Sequence, residues 1–335
     1  LTTRKLSHEP FPFRMWDYAM AREGAFYPFP DKALAHKPLV SVLVRTMPGC
    51  GGRLKEAVAS IAAQTYQPVH LVVVEDGGAT AAEYMATVQA SARFSEVTYQ
   101  PIPKSGRCLA GNAALAAAKG ELVCFLDDDD LFYADHLEVL VNAWSEKPEL
   151  GAVYGLAYEV RTEIISQEPW VYKDLVHSLM FRQPFSRTLL WHHNFMPIQT
   201  VLFQRKLFEE NGGFDLDLEN LEDWNLWVRY SLKNDFKLVP KVTSLYRVPD
   251  QLDKALQRQA VLDDYYAKAK AKHDLLKVEL TLPEIQKIVE EVTRQSQVAG
   301  VPTSWLKQIL MHTPVLRRMY HPMKKVVSIW RRIRQ

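Results

Sequence analysis

Between Leu39 and Val141 four short apolar runs alternate with four helix-period segments, and that alternation leaves few folds open. The runs are Leu39 to Val44, Val69 to Val74, Val97 to Gln100 and Leu122 to Leu126. Helices are predicted over Leu54 to Gln64, Ala81 to Ala92, Leu109 to Lys119 and Ala134 to Val141, with Gly120 as a C-cap to the third. Strands this uniformly apolar are buried on both faces, which is the pattern of a largely parallel sheet covered by crossover helices. An α/β fold is expected.

The fourth run ends in four consecutive aspartates, Asp127 to Asp130. In open α/β sheets, ligands bind just outside the carboxyl ends of the strands. Several carboxylates there suit a hard divalent cation shared with substrate phosphates. The alternative is an acidic turn that binds nothing. A Ca²⁺ loop starting at Asp127 would place Glu138 correctly at its twelfth position but Phe132 where the sharp turn requires Gly. A phosphate-binding loop of the G-x-x-x-x-G-K-[ST] type is also excluded, because Gly49 to Lys55 lacks that spacing.

After Leu150 the pattern changes. Gly151 to Val160 is a predicted strand with Glu163 to Tyr172 as its hairpin partner, followed by a strand at Gln199 to Gln204. A helix is predicted from Leu221 to about Asn234, and its first turn carries Glu222 and Asp223. The helix dipole favours acids there in any case. The functional reading is that one of them is a general base, with Trp224 and Trp227 fixing its surroundings.

Three segments are expected: a Pro- and aromatic-rich leader arm (1–38) with a short helix at Met15 to Arg22, a catalytic domain (39–250), and a polar helical extension (251–335). With 47% hydrophobic and 24% charged residues the chain has a globular composition, and no apolar stretch approaches the ~18 residues of a membrane span. The three scattered cysteines, Cys50, Cys108 and Cys124, lack metal-type spacing and fit a reducing cytoplasm. From Val292 to the end there are nine Lys or Arg and no acid. Within 315–334, basic and apolar residues interleave as in an interfacial helix on an anionic membrane, where each basic residue contributes ~1 kcal/mol. A helix packed on the catalytic domain, or a linker, is the alternative. Nucleic acid is not an expected partner, since no binding motif accompanies this charge.

Six motifs in order, from about Pro38 to Arg247, resemble the inverting family 2 glycosyltransferases of GT-A fold. Val40 to Val44 is similar to the opening nucleotide-binding strand, Ser60 to Tyr66 to the following helix end, and Val73 to Gly78 to the family's "VVDDGS" turn. Gly111 to Leu115 falls where the family has "RNxGL", and Phe125 to Leu131 where it has "FLDxDD". Asn194 to Phe214 and Leu221 to Arg229 resemble its acceptor-side segment.

The resemblance implies a GT-A-type, Rossmann-like mixed sheet, mostly parallel, with helices on both faces. It implies Asp76 as the reader of the nucleotide base, with Glu75, Thr46 and Arg107 also on the donor side. Asp127, Asp128 and Asp129 would supply the D-x-D function and hold Mg²⁺ or Mn²⁺ on the donor diphosphate, Asp129 as first metal ligand with Asp127. Asp223 would be the base, with Glu222 beside it. Trp224 and Trp191 are the acceptor-binding candidates, drawn from an aromatic group that also includes Trp170, Tyr172 and Trp227. The chain departs from the family at Gly111, where Arg is usual, and Lys104 or Arg107 is the candidate replacement for its charge.

The expected function is metal-dependent inverting transfer of a sugar from a nucleotide-diphosphate donor to a glycan or lipid-linked glycan acceptor. The expected setting is bacterial surface-polysaccharide assembly, in the cytoplasm or peripheral on the inner membrane face. The rivals are a sugar-phosphate nucleotidyltransferase, in which the acids at Glu222 and Asp223 have no role, and a non-catalytic carbohydrate-binding module.

Overall fold

Val40, Val42 and Val44 pack to one side of their strand and Leu43 to the other, and none of the four is exposed. That two-sided burial organises the molecule. The structure, a computed structural model, describes residues 4–5, 36–286 and 288–290. The chain divides into two units, Leu1–Leu276 and Lys277–Gln335.

In the first unit the strands and helices run β1 (Arg4–Lys5), β2 (Val40–Thr46), α1 (Gly51–Ala62), β3 (Val69–Asp76), α2 (Ala82–Ala90), β4 (Glu96–Ile102), α3 (Arg107–Ala117), β5 (Leu122–Phe125), β6 (Leu131–Phe132), α4 (His136–Ser145), β7 (Ala152–Ser166), β8 (Val171–Ser178), α5 (Arg187–His192), β9 (Val201–Gln204), α6 (Lys206–Asn211), α7 (Glu222–Ser231), β10 (Phe236–Pro249) and α8 (Leu252–His273). In the second unit, residues 282–286 and 288–290 are helical, and the Glu284 carboxylate accepts from both the backbone N–H and the hydroxyl of Thr281. The backbone contact is the Glu half of a capping box.

One sheet runs β1-β8-β7-β9-β5-β2-β3-β4, with β10 paired to β6 and β7. Pairing is parallel across β5, β2, β3 and β4, as the apolar runs predict. Beyond β5 it turns mainly antiparallel, through β9, β7 and β8, with β10 lying parallel to β7. One face of the sheet carries α1, α2 and α4, and the other carries α3 and α7.

Several expectations are corrected. β7 runs through Ser166, so Glu163 belongs to the first hairpin strand rather than to its partner, which begins at Val171. The long strand β10 and the two-residue β6, with which it pairs, have no sequence counterpart among the predictions. Gly120 does not cap α3. A Cβ there would lie 2.5–2.7 Å from backbone atoms of Ser41, Leu39 and Leu122, so glycine is needed for strand packing. Most of the expected leader arm, with its helix at Met15 to Arg22, and the basic stretch 315–334 lie outside the described residues. No helix among the described residues is long and apolar enough to cross a membrane.

Candidate active site

β2, β3 and β5 deliver their C-terminal residues to one rim, where β2 has β3 on one side and β5 on the other. Such a switch in strand order leaves a crevice at the carboxyl ends. Thr46, Asp76, Arg107, Asp127, Asp128 and Asp129 all line the pocket of about 420 Å³ that opens there.

The aspartates occupy a tight turn between β5 and β6, closed by Asp130 N–H donating to the Asp127 carbonyl at 3.1 Å. Gln64, at the end of the α1 segment, anchors the chain leaving this turn toward α4. Its amide donates to Tyr133 O at 2.7 Å and accepts from Leu137 N at 2.9 Å. Arg247 on β10 braces the turn from behind through the Asp129 carbonyl at 2.5 Å, and its backbone N–H donates to Asp130 at 3.2 Å.

The four carboxylates have four different environments. Asp127 accepts a two-pronged contact from Arg45 at 2.7 and 2.8 Å, and a further one from Arg107 at 3.2 Å. Burial opposes its ionisation, but these cations hold its pKa below the usual range. Asp128 accepts from the Thr46 hydroxyl at 2.7 Å, and burial pushes its pKa up to about 7. Asp130 is buried and pushed well up for the same reason. Asp129 alone has a substantially exposed side chain (42%), with Arg53 at 3.7 Å.

That partition tests the metal expectation. Asp127, expected as a metal ligand, already has both oxygens committed to Arg45. Among the described residues no group of three His, Cys, Asp or Glu is arranged to hold an ion. One available carboxylate beside an open polar pocket fits a Mg²⁺-type ion that takes its remaining ligands from substrate phosphates and water.

Asp76 accepts from Lys104 at 2.7 Å and from the backbone N–H groups of Ser105 and Gly106 at 2.6 and 3.1 Å. Burial raises its pKa, but these donors outweigh it and keep the carboxyl below its usual range. Glu75, expected on the donor side, is not at the pocket. It is fully buried and its oxygens are taken by Thr80, Ala81 and Tyr99, so it caps the turn into α2.

Opposite the aspartates, α7 begins at Glu222, preceded by Leu221 in the left-handed region (φ 57). A branched side chain there costs of order 1–3 kcal/mol, and such strain collects at functional sites. Glu222 accepts from Arg45 at 3.0 Å and lies 3.5 Å from Arg107, so it is an ion-pair partner rather than a free base, which corrects its expected catalytic role. Asp223 differs. It accepts from Asn194 at 2.9 Å and from the Trp224 backbone N–H, and burial followed by the Glu222 charge pushes its pKa to about 7.

The acceptor aromatics are also redistributed. Trp224 is fully buried, its indole donating to Leu190 O at 2.6 Å with Tyr266 stacked on it at 5.2 Å. Trp227 is buried against Met196 O, and Trp170 and Tyr172 are buried around Glu56. Trp191 is the only one of the five that is partly exposed.

Sequence reasoning missed Arg45, which joins the two acidic motifs. Its signal was present: a cation at the end of an otherwise apolar strand is almost never buried without a partner. Gly111, the departure from the family, has a packing reason. A Cβ there would meet the Phe214 ring at 2.5 Å.

The family description "Glycosyl transferase family 2" matches residues 46–212. An uncharacterized glycosyltransferase of Rickettsia typhi is 27% identical over 210 residues, 59% of this chain and 60% of its own. A putative colanic acid biosynthesis glycosyl transferase, WcaA of Escherichia coli, is 23% identical over 58% of this chain and 67% of its own. The chain therefore spans about 60% of the length of the Rickettsia relative. The mannosyltransferase PcManGT from Pyrobaculum calidifontis, solved in complex with GDP-Man and Mn²⁺, superposes with a TM-score of 0.55 at 20% identity, covering 92% of this chain and 90% of its own.

Proposed function

Residues 46–212 form a family 2 glycosyltransferase domain, and from that premise we propose that the protein is an inverting transferase moving a sugar from a nucleotide-diphosphate donor to a hydroxyl of a glycan or lipid-linked glycan. The carrying observation is that Arg45 joins Asp127 of the aspartate-lined pocket to Glu222, next to Asp223, whose pKa of about 7 suits a general base at neutral pH. In this reading the donor diphosphate lies against Arg53 and Arg107, and Asp76 with Lys104 meets the base. The Asp223 carboxylate takes the proton of the acceptor hydroxyl. The freed oxygen bonds to the anomeric carbon as the bond to the diphosphate breaks, inverting that centre. A divalent ion held by Asp129 would supply neutralisation of charge on the leaving group.

The E. coli relative's name places that protein in polysaccharide biosynthesis, and we extend that setting to this chain. A peripheral location on the inner membrane face through 315–334 belongs to the same reading. The nucleotidyltransferase alternative gives Asp223 nothing to do.

The test is Asp223→Asn. Transfer, followed as nucleoside diphosphate released from a panel of nucleotide sugars with acceptor, should fall ~10²–10⁴-fold. Metal-dependent donor binding should be unchanged. In the parent enzyme, activity should decline as pH falls through about 7, because Asp223 must be ionised to act. Full transfer in the Asn variant would remove Asp223 from the mechanism.

A further inference from the structure

Arg45 is 6% exposed, deep beneath a polar cleft. Its guanidinium uses three nitrogens on two carboxylates from opposite sides: two on Asp127, one on Glu222. The rest of the group lies against the rings of Phe125 and Phe214, at 5.7 and 5.5 Å. Phe214 is itself clamped, because the Asn112 side chain accepts from its N–H at 2.7 Å and donates to its carbonyl at 3.0 Å. Thus α3 holds Phe214, Phe214 backs Arg45, and Arg45 joins the aspartate turn to the first residue of α7.

We propose that Arg45 is a positioning residue for the transfer step: it fastens the start of α7 to the aspartate turn and holds Glu222 as a compensated charge beside Asp223. The inference rests on the reading of Asp223 as the base. Two features favour Arg45 over Arg107 as the fastening. Arg107 touches the same two carboxylates, at 3.2 and 3.5 Å, but its side chain is 44% exposed and its pairing is screened by solvent. Arg45 commits three hydrogen bonds of its planar fork to the two carboxylates, at 2.7 to 3.0 Å, where Arg107 makes one, at 3.2 Å. The left-handed Leu221 just before α7 adds a need for such a hold.

The charged groups facing Asp223 are Glu222 on its own helix and Arg107 from α3, while Asn194 donates to it from the segment before β9. From α8, Tyr266 and His273 face the neighbouring Trp224. With Arg45 gone, the Glu222 charge would act on Asp223 with only the exposed Arg107 to offset it.

The experiment is a cycle of Arg45→Met, Glu222→Gln and the double variant, read as the acid limb of kcat at saturating donor and acceptor. Arg45→Met should move that limb upward by about one pH unit, and Glu222→Gln should move it downward. The double variant should return toward the parent profile and recover thermal stability lost in Arg45→Met. Limbs that stay at the parent position, or a double variant that keeps the full Arg45→Met shift, would overturn the proposal. Should Arg45→Met fail to fold, Arg45→Lys decides: it keeps a charge but cannot hold both carboxylates, so an upward limb supports the proposal and an unmoved limb refutes it. Asp223→Asn, run alongside, reports on the base itself, so failure of the underlying reading is seen separately.

Discussion

On the aspartate side of the cleft, the proposed donor side, strand direction brings Thr46, Asp76 and Asp127 to the rim at the ends of β2, β3 and β5. On the other side, the proposed acceptor side, α7 is joined to that rim through long-range pairing, with Arg45 and Arg107 gripping Glu222 and buried aromatics seating the rest of the helix. The first arrangement is a consequence of secondary structure. The second is a product of tertiary contacts between residues up to 177 positions apart. The same residue types therefore mean different things on the two sides. A carboxylate at a parallel strand's end is presented to ligand unless something claims it. An aromatic or acid on α7 is claimed by default, and Asp223 differs in being held by neutral donors, Asn194 and the Trp224 N–H.

The sharpest break of that comparison would be an α7 aromatic that behaves as a ligand surface. Trp224→Ala should cost about 3–5 kcal/mol of stability, the range for a buried tryptophan, because it removes the ring between Leu190, Tyr266 and His273. Chemical denaturation measures this directly. A stable variant with raised acceptor KM would instead restore Trp224 to the acceptor site. Next in size, Asp129→Asn should lower metal-stimulated transfer by roughly 100-fold, about 2.7 kcal/mol, with the fold intact because that side chain is the least committed of the four. An equal loss of metal-free donor binding would show Asp129 contacting donor rather than cation.

What the sequence made legible obeys the same division. Apolar runs without polar alternation announce buried parallel strands, and their C-terminal residues locate the donor rim within a residue or two. The aspartate run is placed there by strand direction, a local property, while the choice of Asp76 and Asp129 comes from the family resemblance. Glu75 could not be told from Asp76 by pattern. Strand alternation sends neighbouring side chains to opposite faces, and here Glu75 turns into the α2 cap while Asp76 faces the cleft. β10 went unread because Pro240 interrupts it and its pairing shifts register between Leu238 and Ser244. The burial of Trp224 and Trp227 went unread because their partners, Leu190 and Met196, lie more than 30 residues upstream.

The smallest effect concerns a donor-side ion pair that resembles the Arg45 pairing on paper. Lys104 donates to Asp76 at 2.7 Å, yet its side chain is 65% exposed, and Asp76 keeps backbone donors from Ser105 and Gly106 without it. Solvent screens such a pair, so Lys104→Met should change stability by less than about 1 kcal/mol at pH 7. The sign with pH is fixed by the lowered pKa of Asp76. A depressed carboxyl contributes stability that is complete above its unfolded pKa and is lost as pH falls through the folded one. The difference between parent and Lys104→Met should therefore be present at neutral pH and shrink toward zero in acid, below the ordinary carboxylate range. Thermal melts of both proteins across that window measure it. A loss well above about 1 kcal/mol, or a difference that persists once Asp76 is protonated, would mean that the donor rim, like α7, depends on its ion pairs and not on strand direction alone.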